Sequence, residues 1–237
     1  MHLEPTPHPR VAFFGGSFDP PHLGHLEVAR AAQAALGLDT VLFAPVGEQP
    51  LKPQGSTAAF AHRLAMTRLA IAGDPAFALS LADAPKPSGA PNYTFDTLLA
   101  LRAQLPPDGA LFCLMGADAF AGLRRWHRAA EIPFLAPLIV ASRPGEQLDD
   151  LKPLLPEGLS IEIHPSPNEQ PSRPQIDLRR FTLRDSSGRQ SPFYLLPGLD
   201  IDISASQIRG RFRAQTPQPA QLPASVSEYI RAHRLYL

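Results

Sequence analysis

The stretch GGSFDPPHLGHL at residues 15–26 constrains this chain more than any other. Ahead of it, VAFF at 11–14 is a short apolar run that reads as a buried strand. Behind it, residues 26–36 are rich in Ala, free of Gly and Pro, and followed by Gly37, the pattern of a helix with a glycine terminator. The order is strand, glycine turn, histidine pair, helix. In a parallel α/β sheet that order puts His22 and His25 at the carboxyl end of the first strand, beside a helix N-terminus. Unpaired N–H groups and the helix dipole attract anions there. Histidines three apart on a first turn share one face, so both can donate to the same phosphate group. A lone pair of this kind could also be packed residues or a weak metal site. The stretch is not a GxGxxG dinucleotide fingerprint, and with no GKS or GKT following it is not a Walker A loop.

The rest of the chain sets the bounds. Its 237 residues suffice for one sizeable domain, and a hydrophobic content of 44% is ordinary for a soluble globular protein. Lys+Arg and Asp+Glu both number 22, which argues against a general nucleic-acid or acidic-membrane binder while allowing a local basic pocket. The single cysteine, Cys113, excludes an internal disulfide framework and lies in an apolar run as a packed strand residue. No signal peptide opens the chain and no apolar run approaches ~20 residues, so a cytoplasmic protein is the default expectation.

Residues 1–9, with three prolines, read as a lead-in, and 10–237 as a single domain. Strands are expected at 40–45, 76–81, 110–115, within 134–142, at 160–164 and at 193–196. Helices are expected from a cap at Ser56 or Thr57 to about 72, then at 94–105, 204–213 and 224–233. Strands alternating with helices imply an α/β fold with a doubly wound parallel sheet, Rossmann-like, and a C-terminal helical subregion at 204–237. Such sheets bind ligands at their carboxyl strand ends. The polar punctuation at 15–25, 45–53, 116–118 and 142–145 falls there, which supports a single nucleotide cleft. The segment 165–192 is rich in Pro, Ser, Arg and Gln, with one strand-like patch at 176–183. It reads as an insertion, either a hairpin or a loop without structure of its own.

A second chemical cluster lies late in the chain. ISASQIR at 203–209 has the S-x-x-Q spacing of a capping box, so Ser204 could merely cap a helix. Ser206 and Arg209 are also i, i+3 on the opening turns, and hydroxyls with a guanidinium at a helix start suit the outer phosphates of a triphosphate.

The two motifs together carry a resemblance. GGSFDPPHLGHL is similar to the GxFDPxHxGH signature of the nucleotidylyltransferase superfamily, whose HxGH element binds the triphosphate of ATP or CTP. ISASQIR resembles the ISSTxIR motif found late in the same superfamily. Within it the chain resembles the bacterial nicotinate-nucleotide adenylyltransferases of NAD synthesis, over 11–164 and 192–237. NYTFDTL at 92–98 is similar to SYTxxTL, where backbone groups beside the Thr meet the nicotinate carboxylate. Gly116-Ala117-Asp118, followed by Leu123 and Trp126-His127, is similar to GxDxLxxLxxW, where the Asp sits by ribose and the Trp stacks on the pyridine ring. SRPG at 142–145 resembles the RPG turn, and 226–236 the C-terminal VxxYIxxxxLY. One departure stands out. The loop after the second strand usually reads PPHK or PPHR, and Leu51 occupies the histidine's place here, leaving Lys52 as a point cation.

The resemblance implies adenylyl transfer from ATP to nicotinate mononucleotide, with Mg²⁺ carried in by the triphosphate rather than held in a carboxylate cage. It implies His22, His25 and Arg209 as catalytic residues. Gly15, Gly16, Ser17, Phe18, His22, His25, Lys52, Gly116, Asp118, Ser204, Ser206 and Arg209 would bind ATP, and Tyr93, Thr94, Trp126 and Arg143 the mononucleotide. No nucleic acid or membrane partner is expected, and a homo-oligomer is left open. The rivals are a nicotinamide mononucleotide or phosphopantetheine adenylyltransferase and a catalytically silent nucleotide-binding module. A dinucleotide-dependent oxidoreductase lacks its glycine fingerprint.

Overall fold

The computed structural model describes residues 8–51, 55–142, 152–163, 178–199, 203–216 and 221–237. Its strands are β1 (Arg10–Gly16), β2 (Thr40–Pro45), β3 (Phe77–Leu79), β4 (Ala110–Gly116), β5 (Leu138–Ala141), β6 (Leu159–Ile163), β7 (Arg179–Asp185) and β8 (Gln190–Leu196). They form one sheet in the order β3-β2-β1-β4-β5-β8-β7-β6. The six strands from β3 to β8 run parallel, and β7 and β6 add an antiparallel edge. The chain builds outward from β1 through β2 to β3, then returns to lay β4 on the other side of β1. The topological switch therefore falls between β1 and β4, where a doubly wound sheet opens its crevice.

Alternation along β1 explains the two layers. Ala12 and Phe14 face one side and Phe13 the other, all nearly inaccessible to water. The first side is covered by α1 (Leu23–Leu36) and α2 (Phe60–Ile71), and by the C-terminal helices α6 (Ala205–Arg213) and α7 (Ala224–Ala232). The second is covered by α3 (Thr94–Gln104), α4 (Ala117–Ala121) and α5 (Ile132–Leu135). Helix α1 is one turn longer than the sequence suggests, because the histidines themselves open it. It ends at Gly37, whose left-handed conformation (φ 57°) returns its N–H to the Gln33 carbonyl. Cys113 is buried in β4.

Two expectations need correction. Neither Ser56 nor Thr57 caps α2. The helix begins at Phe60, and the Thr57 and Ala58 N–H groups turn instead to the Asp19 carboxylate. The Ser204 capping box does not form: Ser204 is the N-cap of α6 but makes no side-chain cap bond. Of the two readings of 165–192, the described part takes the hairpin: β7 and the start of β8 pair as strands of the main sheet. Residues 1–7 of the lead-in and 164–177 of the segment read as an insertion lie outside the described residues.

Candidate active site

The turn after β1 is held in part by burial. Phe18 adopts a left-handed backbone (φ 46°) that costs a non-glycine residue about 1 kcal/mol. Its ring is buried against Phe14 and Phe43, with centroids 5.6 Å away in both cases, which offsets that cost. The turn then delivers His22 as the N-cap of α1 and His25 on its first turn. The two imidazoles stack with centroids 3.7 Å apart and planes inclined by 32°. His25 also meets the Phe18 ring edge to face at 5.0 Å.

These contacts fix the protonation of the pair. The His22 N–H donates to His25 Nδ1 at 3.1 Å, so the His25 proton resides on Nε2. Burial lowers the His22 pKa to about 4. Burial, and secondarily the neighbouring His22, push His25 well below the usual imidazole range. Both rings are thus neutral donors at neutral pH. His22 Nδ1 is buried and has no hydrogen-bond partner among the described residues.

Asp19 ties this turn to two distant segments. Its carboxylate accepts from the Thr57 N–H at 2.6 Å, the Ala58 N–H at 3.1 Å and the Tyr236 hydroxyl at 2.7 Å. Its main-chain oxygen accepts from Arg209 Nη1 at 2.7 Å. Arg209 Nη2 donates to Ser206 Oγ at 3.1 Å. The opening turns of α6, with Ser204, Ser206 and Arg209, are thereby brought to the histidine turn. A Gln221 carbonyl adds to the junction by accepting the Leu23 N–H at the start of α1.

A buried guanidinium sets the floor of the site. Arg63, on α2, is 2% exposed. It donates to the carbonyls of Ala58, Ser17 and Val46, joining the turns after β1 and β2. Burial lowers its pKa, an effect opposed by Asp19. Gln49 Nε2 donates to Ser17 Oγ at 2.8 Å, a second link between the same turns. Leu51 is exposed, and Lys52 lies outside the described residues.

From there the loop reaches the start of α3. The Glu48 N–H donates to Asn92 Oδ1, and the Asn92 N–H returns to the Glu48 carbonyl, both at 3.0 Å. Tyr93 is the N-cap of α3 and Thr94 its first residue. The Tyr93 ring lies 4.6 Å from that of His127, so the 92–98 and 126–127 segments meet. Trp126 is half-buried against the second core layer. At the end of β4, Gly116 leads into α4, and a Cβ placed on it would meet no atom within 4 Å. Asp118 is exposed on the first turn of α4. Gly15 and Gly16 end β1, next to Ala44 and Pro45 of β2. Arg143 lies outside the described residues.

The sequence-derived residues that can be placed therefore gather around the carboxyl ends of β1, β2 and β4. Asp19, Arg63, Tyr236, Gln49 and Asn92 hold them there and were not singled out as site residues. For Asp19, the signal was its place in the FDP triplet. Tyr236 is marked only as the last residue of the VxxYIxxxxLY resemblance at 226–236, and Arg63 offers no signal, because their partners are brought in only by the fold.

Comparison with known proteins shows the family. The cytidylyltransferase-like family model matches residues 13–211. The probable nicotinate-nucleotide adenylyltransferase of Roseiflexus is 36% identical over 231 residues, covering 95% of this chain and 97% of the relative. That of Laribacter hongkongensis is 39% identical over 231 residues, covering 96% of each. The chain belongs to the nicotinate-nucleotide adenylyltransferase family. Its fold is also that of the family's distant structural relatives. The Plasmodium falciparum nicotinic acid mononucleotide adenylyltransferase, solved in complex with NaAD, superposes with a TM-score of 0.68 at 15% identity. That match covers 97% of this chain and 98% of the other. Among the described residues no helix is long and apolar enough to cross a membrane.

Proposed function

We propose that the protein transfers the adenylyl group of ATP to nicotinate mononucleotide, giving nicotinate adenine dinucleotide and pyrophosphate. The observation that carries this reading is the 2.7 Å bond from Arg209 to the Asp19 carbonyl. It ties the hydroxyl–guanidinium cluster of α6 to the turn that carries the paired imidazoles of α1, two donor groups suited to one polyphosphate. Relatives sharing over a third of the sequence carry the nicotinate-nucleotide name, which supports the choice of mononucleotide.

The chemistry needs no protein nucleophile. A phosphate oxygen of the mononucleotide attacks the α-phosphorus of ATP, and the bond to the bridging oxygen of pyrophosphate breaks in line. Catalysis is alignment plus stabilisation of charge that grows on the phosphate oxygens. His25 offers its Nε2–H, and His22 lies against it to serve the same phosphates. Arg209, with Ser204 and Ser206, holds the departing pyrophosphate. Neutral imidazoles are suited to this role, since they donate without needing a proton from solvent. Mg²⁺ arrives as part of the nucleotide substrate and screens the triphosphate charge. Tyr93, Thr94 and Trp126 receive the pyridine ring and its carboxylate, with Gly116 leaving the backbone approachable. Lys52 and Arg143 are assigned to phosphate binding and mononucleotide binding respectively. The protein acts in the cytoplasm.

The test offers purified protein ATP and Mg²⁺ with nicotinate mononucleotide, nicotinamide mononucleotide or phosphopantetheine. Pyrophosphate and adenylylated product are measured. The expected outcome is product with the nicotinate nucleotide at the highest kcat/KM. Preference for either other acceptor would reassign the substrate, and pyrophosphate release with none would leave only a nucleotide-binding module.

A further inference from the structure

Tyr236 is the penultimate residue of the chain, yet its hydroxyl is wired into the turn that carries the histidines. It is 7% exposed and donates to Asp19 Oδ1 at 2.7 Å. The same carboxylate accepts from the Thr57 and Ala58 N–H groups, and Arg209 Nη1 lies 4.0 Å from its other oxygen. One buried carboxylate is thus shared by the histidine turn, the approach to α2, the start of α6 and the C-terminus. Tyr236 itself is held in place locally. The Leu235 N–H returns to the Ile230 carbonyl at the end of α7, and the Tyr236 ring packs near Phe212 of α6 at 6.4 Å. Burial and the Asp19 carboxylate raise the phenol pKa, so the hydroxyl stays a donor through the physiological range.

We infer that Tyr236 is a positioning residue for ATP, acting through Asp19 to hold Arg209 and the Ser17–His25 turn in the geometry that grips the triphosphate. This rests on the adenylyl-transfer reading. If Tyr236 lets go, Asp19 loses one of the three hydrogen bonds on its carboxylate. The main-chain oxygen that orients Arg209 belongs to the same residue and moves with it. The mononucleotide side of the cleft is carried by α3, on the other face of the sheet, and is linked to this contact only at a distance, through Asn92 and the loop after β2. Binding is reciprocal in the same way: a triphosphate that tightens the histidine turn must also tighten the C-terminus.

The test is Tyr236→Phe, which keeps the ring against Phe212 and removes only the hydroxyl. The expected result is a rise of about tenfold in KM for ATP with a fall in kcat, and a KM for nicotinate mononucleotide within twofold of the parent protein. A general loss of folded protein would not produce that split. Amide hydrogen exchange on the unmodified protein, with and without ATP and Mg²⁺, gives a second readout that does not depend on the variant folding. Exchange is expected to slow both at 17–25 and at 234–237. Slowing at 17–25 alone, or a Tyr236→Phe protein with both ATP parameters within twofold of the parent, would overturn the inference and leave the adenylyl-transfer reading standing. No slowing at 17–25, together with no product in the transfer assay, would instead remove that reading, and this inference with it.

Discussion

The imidazoles of His22 and His25 lie face to face with centres 3.7 Å apart, and the main-chain N–H of the first donates to the ring of the second. The pair is an uncharged donor set held by contacts within the chain itself. Its members are held by aromatic packing and by the opening of α1, so the fold barely needs them as charges. A triphosphate does need them as donors. Function and stability can therefore be separated at this pair.

Replacing His22 with Ala is expected to lower kcat by about 100- to 1000-fold, the usual scale for losing one donor to a developing oxyanion. The variant should still fold, losing the ring's packing against His25 but no Nδ1 hydrogen bond among the described residues. Steady-state pyrophosphate release alongside thermal unfolding checks both halves. Parental turnover in a folded variant would remove His22 from the mechanism.

The pair also sets an acid limit on stability. His22 titrates at about 4 when folded and near 6.5 when unfolded. Between those values the unfolded chain binds a proton that the folded chain refuses. Stability is therefore complete above pH ~6.5 and falls as pH drops toward 4, by roughly 3 kcal/mol from His22. His25 acts in the same direction. Urea midpoints for the parent and for His22→Ala, measured at pH 7 and pH 5, isolate the effect. The parent should lose more stability on acidification than the variant. Equal losses would contradict the assignment.

Arg63 is expected to behave as a structural residue that supports the site. Arg63→Met would leave the carbonyls of Ser17, Val46 and Ala58 without their donors, at a cost of about 3–5 kcal/mol. Arg63→Lys should recover only part of this, since one ammonium cannot reproduce the guanidinium fork. Urea unfolding gives the measure, and a Met variant as stable as the parent would refute it.

Two glycines of the cleft should respond in opposite ways. A Cβ on Gly47 would lie 2.5 Å from the Pro85 nitrogen and 2.6 Å from its Cα, main-chain atoms that cannot swing aside. Gly47→Ala is expected to cost about 1–3 kcal/mol of stability. Gly116→Ala meets nothing within 4 Å and has an ordinary extended backbone (φ −80°, ψ 164°). It should fold normally and raise the KM of a nucleotide substrate several-fold. Thermal unfolding and initial-rate kinetics on both variants distinguish these outcomes.

Most of the architecture was legible because it follows from local pattern. The apolar runs at 11–14, 40–45 and 110–115 became β1, β2 and β4, and the Ala-rich run up to Gly37 became α1. The hairpin of β7 and β8 was legible only in part, as one of two readings of 165–192 with a strand-like patch at 176–183. Phe181 and Leu183 alternate inward as an edge-proximal strand requires, but polar Arg180, Thr182 and Arg184 fill the alternate positions. Pro192, which has no N–H to give a ladder, is tolerated in β8 because it precedes the stretch that pairs with β5, which begins at Phe193. The histidine pair and the α6 cluster were visible as motifs. What held them together was not visible, since Asp19, Arg63 and Tyr236 are linked only through tertiary contacts. The capping-box spacing at 204–207 misled for the same reason: a four-residue pattern cannot say which groups a neighbouring segment will claim.

The most direct measurement is a crystal structure of the protein with a non-hydrolysable ATP analogue. Phosphate oxygens of one triphosphate should lie within hydrogen-bond distance of the His22 or His25 imidazole on one side and of the Arg209 guanidinium on the other. A triphosphate held by only one of these groups, or bound away from the carboxyl ends of β1 and β4, would contradict the account.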